Sequence, residues 1–549
     1  MIIARTGLFI FLPLYLRLVS QRFLIEWSLL EIGLSRLRIP VILDIYSFSF
    51  SLSVILIARA VLVFSSSYMS QEKFFSRFHL LVFSFIGRMI LLIFSPNLIS
   101  LLIGWDGLGV TSYLLVIYFF SHKSLNAGLL TALTNRLGDC LFLIRIALLA
   151  RTISINIFVL VSLNTKISII IRIAIVIAAS TKRAQLPFSA WLPAAMAAPT
   201  PVSSLVHSST LVTAGVYVLF RLSERISKFA LEIIMLIGCL TITLARLAAL
   251  SEIDIKKIVA LSTLSQLGLI ITIMGIRETR MSFFHLLSHA YFKALLFIRV
   301  GNLIHLSSGI QDLRLLFTGK KRTSLTPRVA ILANLRLIGT PFMAGFYSKD
   351  LILETSLLKN YSSVFVTLLL ISVAFTAAYS IRFMALASWN RNPKMPTSLI
   401  DDNDNKIFYA IIILMPFAIF GGRMLSWTIF ERPQIPIIDS RTKILVLSII
   451  VSGAVIGALS PQHNLKRKFW WWAIRRMWAL PFFSGKFNNT SLVLSSVSYS
   501  QVDLKWIIFS ILSLTSKLSS LAISSYVGIA RIIKIAFFLI IFILVFWIY

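Results

Sequence analysis

Carboxylates are scarce in this sequence, and so are cysteines. Only 20 Asp and Glu residues stand against 53 Lys and Arg in 549 residues, which gives a formal net charge of +33. The two cysteines, Cys140 and Cys239, lie in apolar runs and are too few for a disulfide framework or a cysteine-ligated metal site. The sequence has no GxGxxG after a strand, no P-loop, no CxxC and no CxxCH, which argues against a nucleotide, flavin, haem or iron–sulfur site on this chain.

Polar residues are also too few for a soluble chain of this length. The sequence is 58% hydrophobic, with a mean hydropathy of +0.90. Apolar runs of about 20 residues, long enough to cross a bilayer as helices, recur along it. About 14 to 16 such runs predict an all-α polytopic membrane protein in contact with lipid. The positive charge therefore does not indicate a nucleic-acid partner.

Polar stretches divide the chain into five regions. The regions are N-terminal helices at 1–76, the first half of a helical core at 77–225 with a proline-broken helix near 182–193, the second half at 226–400, additional transmembrane helices at 401–460, and a tail at 461–549. The tail opens with a basic aromatic stretch. Its later pattern predicts a lateral amphipathic helix followed by a terminal span.

Lys182 stands where prolines interrupt an apolar run, in TKRAQLPFSAWLP. A lysine at membrane depth is costly, and irregular backbone is tolerated there where it lines a cavity. Such a lysine can lose and regain a proton, so we interpret it as a proton-loading group. His207 follows in LVHSST, where it is either a proton-relay group or a hydrogen-bonded structural histidine.

Two carboxylates, Asp106 and Asp139, are flanked by apolar residues. Arg136 precedes Asp139 by three residues, so these two can form a simple ion pair. Asp106 has no basic residue nearby in sequence and needs a partner from another helix. We expect Lys182 to be that partner.

A second titratable group occupies HLLSHAYFKALLFI. His285, His289 and Lys293 follow at intervals of four and lie on one face of a helix. A stripe of this kind inside a span predicts a proton path. Metal binding by the histidine pair and structural polar packing remain the alternatives, although no carboxylate shares the stripe.

Three further charged residues are candidates for the same chemistry. Lys349 and Asp350 lie in GFYSKD, where the other interpretation is an interfacial ion pair. Lys406 begins KIFYAIIILMPFAIF and can equally extend from a helix end to the membrane surface.

Together these stretches resemble the antiporter-like subunits of respiratory complex I over about residues 40–430. The motifs that carry the resemblance are SPNLISLLIGWDGLGVTSYLLV, TNRLGDC, TKRAQLPFSAWLPAAMAAPTPVSSLVHSSTLVTAGVY, DIKKIVALSTLSQLGL, HLLSHAYFKALLF and GFYSKD. GFYSKD followed by such a tail favours the member of the family that has a lateral helix.

The resemblance implies a proton-translocating subunit in the membrane arm of complex I, in the mitochondrial inner membrane. It implies that Asp106 and Lys182 form a coupling pair, although many members have Glu at the first position. His207, the stripe from His285 to Lys293, and Lys406 as the exit-side lysine would continue the path. Implied partners are the other membrane-arm subunits, above all the neighbouring antiporter-like chain. NADH, FMN, iron–sulfur clusters and ubiquinone would be used by other subunits, with no cofactor on this chain.

Three other functions remain open. A cation/proton antiporter subunit of the Mrp type shares the motifs, but the Phe, Ile, Leu and Ser bias is typical of an AT-rich organelle genome. A non-catalytic scaffold would clamp its neighbours through residues 490–549. A stand-alone ion channel is not favoured, because the sequence has no repeated pore or charged ring.

Arginines inside apolar runs are unusual, since each costs about 2.5–3.5 kcal/mol near a helix centre. They are Arg59, Arg88, Arg145, Arg172, Arg246, Arg299, Arg336 and Arg423. The family usually has Ser or another small residue at Arg88, Arg183, Arg299 and Arg336, and often Met at Ile298. Some animal mitochondrial codes read AGA and AGG as Ser and ATA as Met. We therefore hypothesise that this sequence was translated with a code that reads them as Arg and Ile. Other arginines match arginines of the family: Arg136, Arg221, Arg314 and Arg382.

Overall fold

The structure is a computed structural model. It describes residues 23–32, 35–150, 166–223, 226–315, 325–340, 343–359, 363–389, 404–430 and 439–459, with positions 474, 477, 490 and 493–496. The chain divides into two compact units, Met1–Pro481 and Phe482–Tyr549. In the second unit the description covers Thr490 and one helical turn at 493–496. The predicted lateral helix and terminal span lie outside the described residues.

The first described element is a β-hairpin, where the sequence predicted helices. Strand β1 (Phe23–Ile32) pairs antiparallel with β2 (Ser35–Leu43), and Phe23 stands opposite Leu43. The physical reason lies in the sequence of the hairpin. Gly33 and Pro40 both disfavour a helix, whereas the flanking residues are rich in Ile, Leu and Val.

The rest of the first unit is helical. Its first ten helices are α1 (Ile45–Tyr68), α2 (Phe75–Phe94), α3 (Leu98–Val116), α4 (His122–Ala150), α5 (Lys166–Lys182), α6 (Trp191–Ala194), α7 (Thr200–Leu222), α8 (Lys228–Ser251), α9 (Ile255–Gly275) and α10 (Thr279–Leu306). The next five are α11 (Leu325–Ile338), α12 (Ala344–Leu358), α13 (Ser363–Met384), α14 (Asn405–Ile429) and α15 (Ser440–Leu459). Within the described part of the chain, eleven helices are long and apolar enough to cross a membrane.

Three helices form the interior of the first unit. The apolar window of α7 is 100% buried, and those of α9 and α10 are each 94% buried, whereas only 11% of α15 is buried. Glycines allow α15 to approach α13 closely. A Cβ on Gly453 or Gly457 would come within 2.2 Å of Ala374 O or 2.3 Å of Ala378 O. Less buried outer helices thus surround an inner group that carries His207, His285, His289 and Lys293.

A buried ion pair ties α1 to α7. Asp44 caps α1 by accepting from Ser47 N, and both of its oxygens accept from Arg221, at 2.5 and 2.7 Å. Arg221 also donates to the Tyr217 hydroxyl, which donates to Ile93 O of α2 at 2.9 Å. Burial alone would raise the pKa of Asp44, but the hydrogen bonds and charge of Arg221 outweigh it and lower the pKa. The cluster fixes three helices at one end of the core.

Candidate functional site

Lys182 is the last residue of α5 and is fully buried. Its ammonium lies 3.9 Å from the centre of the Trp105 ring and donates to Trp105 O. A cation over an indole face is attracted by the ring quadrupole, most strongly away from water. The lysine at the proline-broken segment therefore has a dedicated partner on α3.

Trp105 also connects this lysine to a carboxylate. Its indole Nε1 donates to Asp139 Oδ1 at 2.9 Å, and Asp139 is buried. Asp106 does not form the expected ion pair with Lys182. Its partner is Arg136, at 2.7 Å, and the same guanidinium lies 3.5 Å from Asp139. The buried carboxylate that shares Trp105 with Lys182 is thus Asp139, while Asp106 and Arg136 are 41% and 55% exposed.

The irregular backbone after Lys182 is fixed by cross-links to other segments. Trp191 Nε1 donates to Thr181 O at 2.8 Å, across the break. Gln185 Oε1 accepts from Thr241 Oγ1 of α8 at 2.6 Å. Because the first hydrogen bond spans the interruption and the second ties it to α8, the break is a defined feature of the fold.

His207 lies in a π-helical segment of α7, Ser203–Thr210. Such wide turns occur frequently at functional sites. The imidazole is 1% exposed, and neither ring nitrogen has a hydrogen-bond partner among the described residues. Its ring centre lies 6.2 Å from that of Trp191. The structure therefore does not provide the hydrogen bonds that a structural histidine would have.

His285 on α10 is held by two side chains. Its Nδ1 lies 2.9 Å from Ser348 Oγ, and its Nε2 lies 3.2 Å from Gln266 Oε1. With the amide in this orientation Gln266 Oε1 only accepts, so Nε2 bears the hydrogen and Nδ1 accepts from Ser348. Ser288 extends the contact by donating to Ser348 Oγ at 3.3 Å. His285 thus links α10 to α9 and α12.

His289 and Lys293 continue along the same face of α10. The rings of His285 and His289 are 6.4 Å apart, and both side chains are buried. Neither ring nitrogen of His289 has a partner among the described residues. Lys293 is fully buried and donates to Ser262 Oγ of α9 at 2.6 Å. The spacing in the sequence therefore places all three groups on one buried face.

Lys349 is the last of a set of buried titratable residues that we call the buried row: Lys182, His207, His285, His289, Lys293 and Lys349. Its ammonium donates to Ile338 O at 3.1 Å and Leu337 O at 3.3 Å, and to Thr376 Oγ1 at 2.9 Å. The two carbonyls belong to the C-terminal end of α11, where the helix dipole favours a cation. The neighbouring Asp350 has one buried oxygen without a hydrogen-bond partner in the described part of the chain.

Lys406 differs from these residues. It lies exposed in the first turn of α14, and the structure does not bring it to the buried row. Among the described residues no group of three or more His, Cys, Asp or Glu is placed to hold a metal ion.

The arginines fall into two groups. Those that match the family all have partners, as Arg136, Arg221 and Arg314 pair with carboxylates and Arg382 donates to Leu250 O and Glu252 O. By contrast, no guanidinium nitrogen of Arg336 has a hydrogen-bond partner among the described residues. Arg183 donates through Nε to Ala179 O at 2.9 Å, and Arg88 donates to Gly107 O at 2.7 Å. A buried guanidinium without partners is unfavourable, which agrees with the hypothesis of a translation difference at Arg336.

Several site residues escaped the sequence reasoning: Trp105, Ser262, Gln266, Ser348 and Thr376. Only Trp105 had a signal, since it precedes Asp106 within the motif IGWDGLG. The others are ordinary polar residues whose contacts with lysine or histidine cross from one helix to another.

The fold and the buried row define a class of membrane protein that transports ions. The family model described as NADH:quinone oxidoreductase/Mrp antiporter, TM matches residues 95–376, and the model of the NADH dehydrogenase subunit 5 C-terminus matches residues 379–549. NADH-ubiquinone oxidoreductase chain 5 of Lumbricus terrestris is 42% identical over 446 residues, 81% of this chain and 77% of that one. Chain 5 of Anopheles gambiae is 40% identical over 513 residues, 90% of this chain and 88% of that one. The chain belongs to the NADH–ubiquinone oxidoreductase chain 5 family.

Two solved structures share the fold. A chain of the Mrp complex from Dietzia sp. DQ12-45-1b superposes with a TM-score of 0.71 at 22% identity, over 93% of this chain and 59% of that one. A chain of the membrane-bound sulfane sulfur reductase, an archaeal respiratory membrane complex, has a TM-score of 0.66 at 18% identity, over 81% of this chain and 90% of that one. At these identities the likeness concerns the fold alone.

Proposed function

We propose that the buried row of this chain carries protons across the mitochondrial inner membrane. The chain is a proton-translocating membrane-arm subunit of respiratory complex I, as its family membership implies. The observation that supports this assignment of the row is the placement of its titratable groups. Lys182, His207, the α10 stripe and Lys349 are all buried in the helical core. Ionisable groups in such positions are expensive and are retained for transport.

Each group has a chemical role in this proposal. Lys182 loads a proton, and Asp139 stabilises the ammonium with the help of the Trp105 indole. His207 and the stripe from His285 to Lys293 pass the proton through the core. Lys349, whose donors face helix-end carbonyls, takes the exit-side role that the family resemblance gave to Lys406.

The redox chemistry belongs to other subunits in this proposal. NADH, FMN, iron–sulfur clusters and ubiquinone would be bound there, and this chain would take up and release protons in response. The residues of this chain need only bind, orient and release protons, which are tasks that lysine, histidine and carboxylate side chains perform.

A neighbouring membrane-arm subunit, above all an antiporter-like chain, is the proposed partner. Asp106 and Arg136 support this, because they form a half-exposed ion pair on helices that are otherwise suited to lipid. A charged pair facing hydrocarbon is costly, whereas a polar surface of another subunit would accommodate it.

The test is proton uptake by vesicles containing the intact complex. We expect Lys182→Met to lower the number of protons taken up per NADH oxidised, with the complex still assembled on a native gel. Lys443→Met is the matched control, because this lysine is exposed on α15. Unchanged proton uptake in Lys182→Met and Lys293→Met would sink the proposal in favour of a scaffold. Sodium or potassium transport without NADH would favour the antiporter.

A further inference from the structure

Basic and aromatic side chains meet at one end of α2, α3 and α4. Lys73 precedes α2, Arg77 lies in its first turn, and Lys123 lies in the first turn of α4. All three cations are exposed, and so are the rings of Phe74 and Phe120, each to 64%. We call these five residues the α2–α4 surface. Because α2 and α4 are both long and apolar enough to cross a membrane, the surface lies where a span meets the lipid headgroups.

Contacts between two loops hold this surface together. The Arg77 guanidinium lies 5.8 Å from the centre of the Phe120 ring and 5.9 Å from that of Tyr118. The Tyr118 hydroxyl donates to Phe74 O at 3.3 Å and so ties the end of α3 to the start of α2. Phe120 has a φ of 49°, which a bulky residue rarely adopts, so packing rather than local preference places its ring. Arg77 is therefore held against two rings instead of extending freely into water.

The cations of the α2–α4 surface form no ion pair with a carboxylate in the described part of the chain. The ion pairs there belong to other basic residues: Arg136, Arg221, Lys257, Arg314 and Lys359. Glu72 is the carboxylate next to this surface in sequence, and its charge acts on Tyr118. Three cations against this one carboxylate leave the surface positively charged. Unpaired cations at the end of membrane spans favour an anionic ligand.

An apolar face of α2 continues directly from these cations. Arg77, Leu80, Phe83, Gly87 and Leu91 follow at intervals of three or four residues and share one side of the helix. Leu80 and Phe83 are 68% and 58% exposed, and a Cβ on Gly87 would meet no described atom of another helix within 4 Å. The helix rises about 15 Å from Arg77 to Gly87, which is about half of the hydrocarbon core of a bilayer. The exposed apolar face is thus long enough for an acyl chain of one leaflet.

We propose that the α2–α4 surface binds the headgroup of an anionic phospholipid. The lipid phosphate accepts hydrogen bonds from the Arg77 guanidinium and from the ammonium groups of Lys73 and Lys123. One acyl chain runs along Leu80 and Phe83 into the open space beside Gly87.

The apolar face of α2 distinguishes a lipid from an acidic segment of a neighbouring subunit. An acidic protein segment would account for the cations, whereas a phospholipid accounts for the cations and for the apolar residues beneath them. The inference uses the membrane fold and does not depend on the proposed proton path.

The experiment is photo-cross-linking of the intact complex in vesicles of phosphatidylcholine. The vesicles contain a trace of phosphatidylglycerol with a diazirine in its acyl chain, or of phosphatidylcholine with the same diazirine. Mass spectrometry of peptides then locates the labelled residues. We expect the phosphatidylglycerol probe to label α2 between Leu80 and Leu91 several times more strongly than the phosphatidylcholine probe does.

Variants of the α2–α4 surface test the role of its charges. In Lys73→Gln/Arg77→Gln we expect labelling of α2 by the phosphatidylglycerol probe to fall by about tenfold, with labelling by the phosphatidylcholine probe unchanged. Arg441→Gln/Lys443→Gln is the matched control, because these two exposed cations begin another apolar helix, α15. Assembly on a native gel is measured for each variant. Arg77→Lys provides the milder test, since it keeps the charge but loses the planar guanidinium, and we expect a partial loss of labelling.

Three outcomes would overturn the inference. Equal labelling of α2 by the two probes, or unchanged labelling in both variants of the surface, would mean that α2 contacts bulk lipid only. Absence of labelling by either probe would mean that a neighbouring subunit covers this face. The proposed function is tested separately, because Lys182→Met should lower proton uptake and leave the labelling of α2 unchanged.

Discussion

The ammonium of Lys182 lies 3.9 Å from the centre of the Trp105 ring, whose Nε1 donates to Asp139 at 2.9 Å. One indole therefore contacts both the lysine and the carboxylate of the proposed loading site. Its face stabilises the cation, while its edge orients the anion. Protonation of Lys182 and the position of Asp139 are coupled through a side chain that does not itself titrate.

Replacing this indole tests that coupling. Trp105→Phe keeps an aromatic face for Lys182 but removes the donor to Asp139, so the carboxylate loses a hydrogen bond worth about 1.5–3 kcal/mol. We expect fewer protons taken up per NADH oxidised and a changed pH profile of uptake. Trp427→Phe is the matched control, since Trp427 is 71% exposed. An unchanged pH profile in Trp105→Phe would mean that the indole only fills space.

The shared guanidinium of Arg136 allows a second test. Arg136 lies 2.7 Å from Asp106 and 3.5 Å from Asp139. In Asp106→Asn the Arg136 guanidinium pairs with Asp139 alone, where it competes with the ammonium of Lys182. We therefore expect proton uptake to fall. The double variant Asp106→Asn/Arg136→Met removes that competition and should recover part of the loss. Strictly additive losses in the double-mutant cycle would contradict this account.

The ion pair between Asp44 and Arg221 predicts a pH-dependent stability. The pKa of Asp44 lies below 3.8 in the folded protein. Its contribution to the free energy of unfolding is therefore fully present above pH 3.8 and is lost as the pH falls through the pKa of the folded protein. Asp44→Asn should destabilise the chain by about 3–5 kcal/mol at neutral pH, because Arg221 loses its buried partner. The difference from the parent should shrink as the solution is made more acidic.

Thermal unfolding in detergent at several pH values measures this difference. Asp312→Asn is the control, because Asp312 pairs with Arg314 in a more exposed loop and such pairs contribute about 0–1 kcal/mol. Equal effects of the two substitutions at neutral pH would count against a stabilising role of the α1–α7 cluster.

Local patterns in the sequence predicted the helical fold and the composition of the row better than they predicted contacts. The four-residue spacing from His285 to Lys293 placed these groups on one buried face, because helix periodicity alone decides which side chains share a face. Lys182 was recognisable because a charged residue beside prolines in an apolar run is unusual.

Contacts between helices could not be predicted in the same way. Asp106 was expected to pair with a residue of another helix, and it does, but its partner is Arg136 of α4 and not the predicted Lys182. The link from His285 to Ser348 joins residues 63 positions apart, and nothing in an ordinary serine marks it beforehand. The β-hairpin was missed because a hydropathy window does not distinguish two short apolar strands from a helix.

The buried arginines give the last prediction. Arg183 and Arg336 are each 1% exposed, and some or all of their guanidinium nitrogens have no hydrogen-bond partner among the described residues. In the described part of the chain the Arg183 side chain donates only to Ala179 O of the preceding helical turn, whereas Arg221 donates to a carboxylate and Arg382 to carbonyls of another segment. Serine at 183 and 336 would fit a small space and bond to its own helix, as Ser380 does to Ala377 O.

Mass spectrometry of peptides from the native chain decides between the two residues. We expect masses for serine at 88, 183, 299 and 336, and for arginine at 221 and 382, which serve as internal controls. The net charge of the protein would then lie below +33, and Lys182 would have a hydroxyl rather than a second cation beside it. That neighbour matters for the proposed mechanism, because an adjacent guanidinium would oppose loading of a proton on Lys182. Arginine masses at 183 and 336 would contradict the hypothesis and require a polar partner for each guanidinium in the assembled complex.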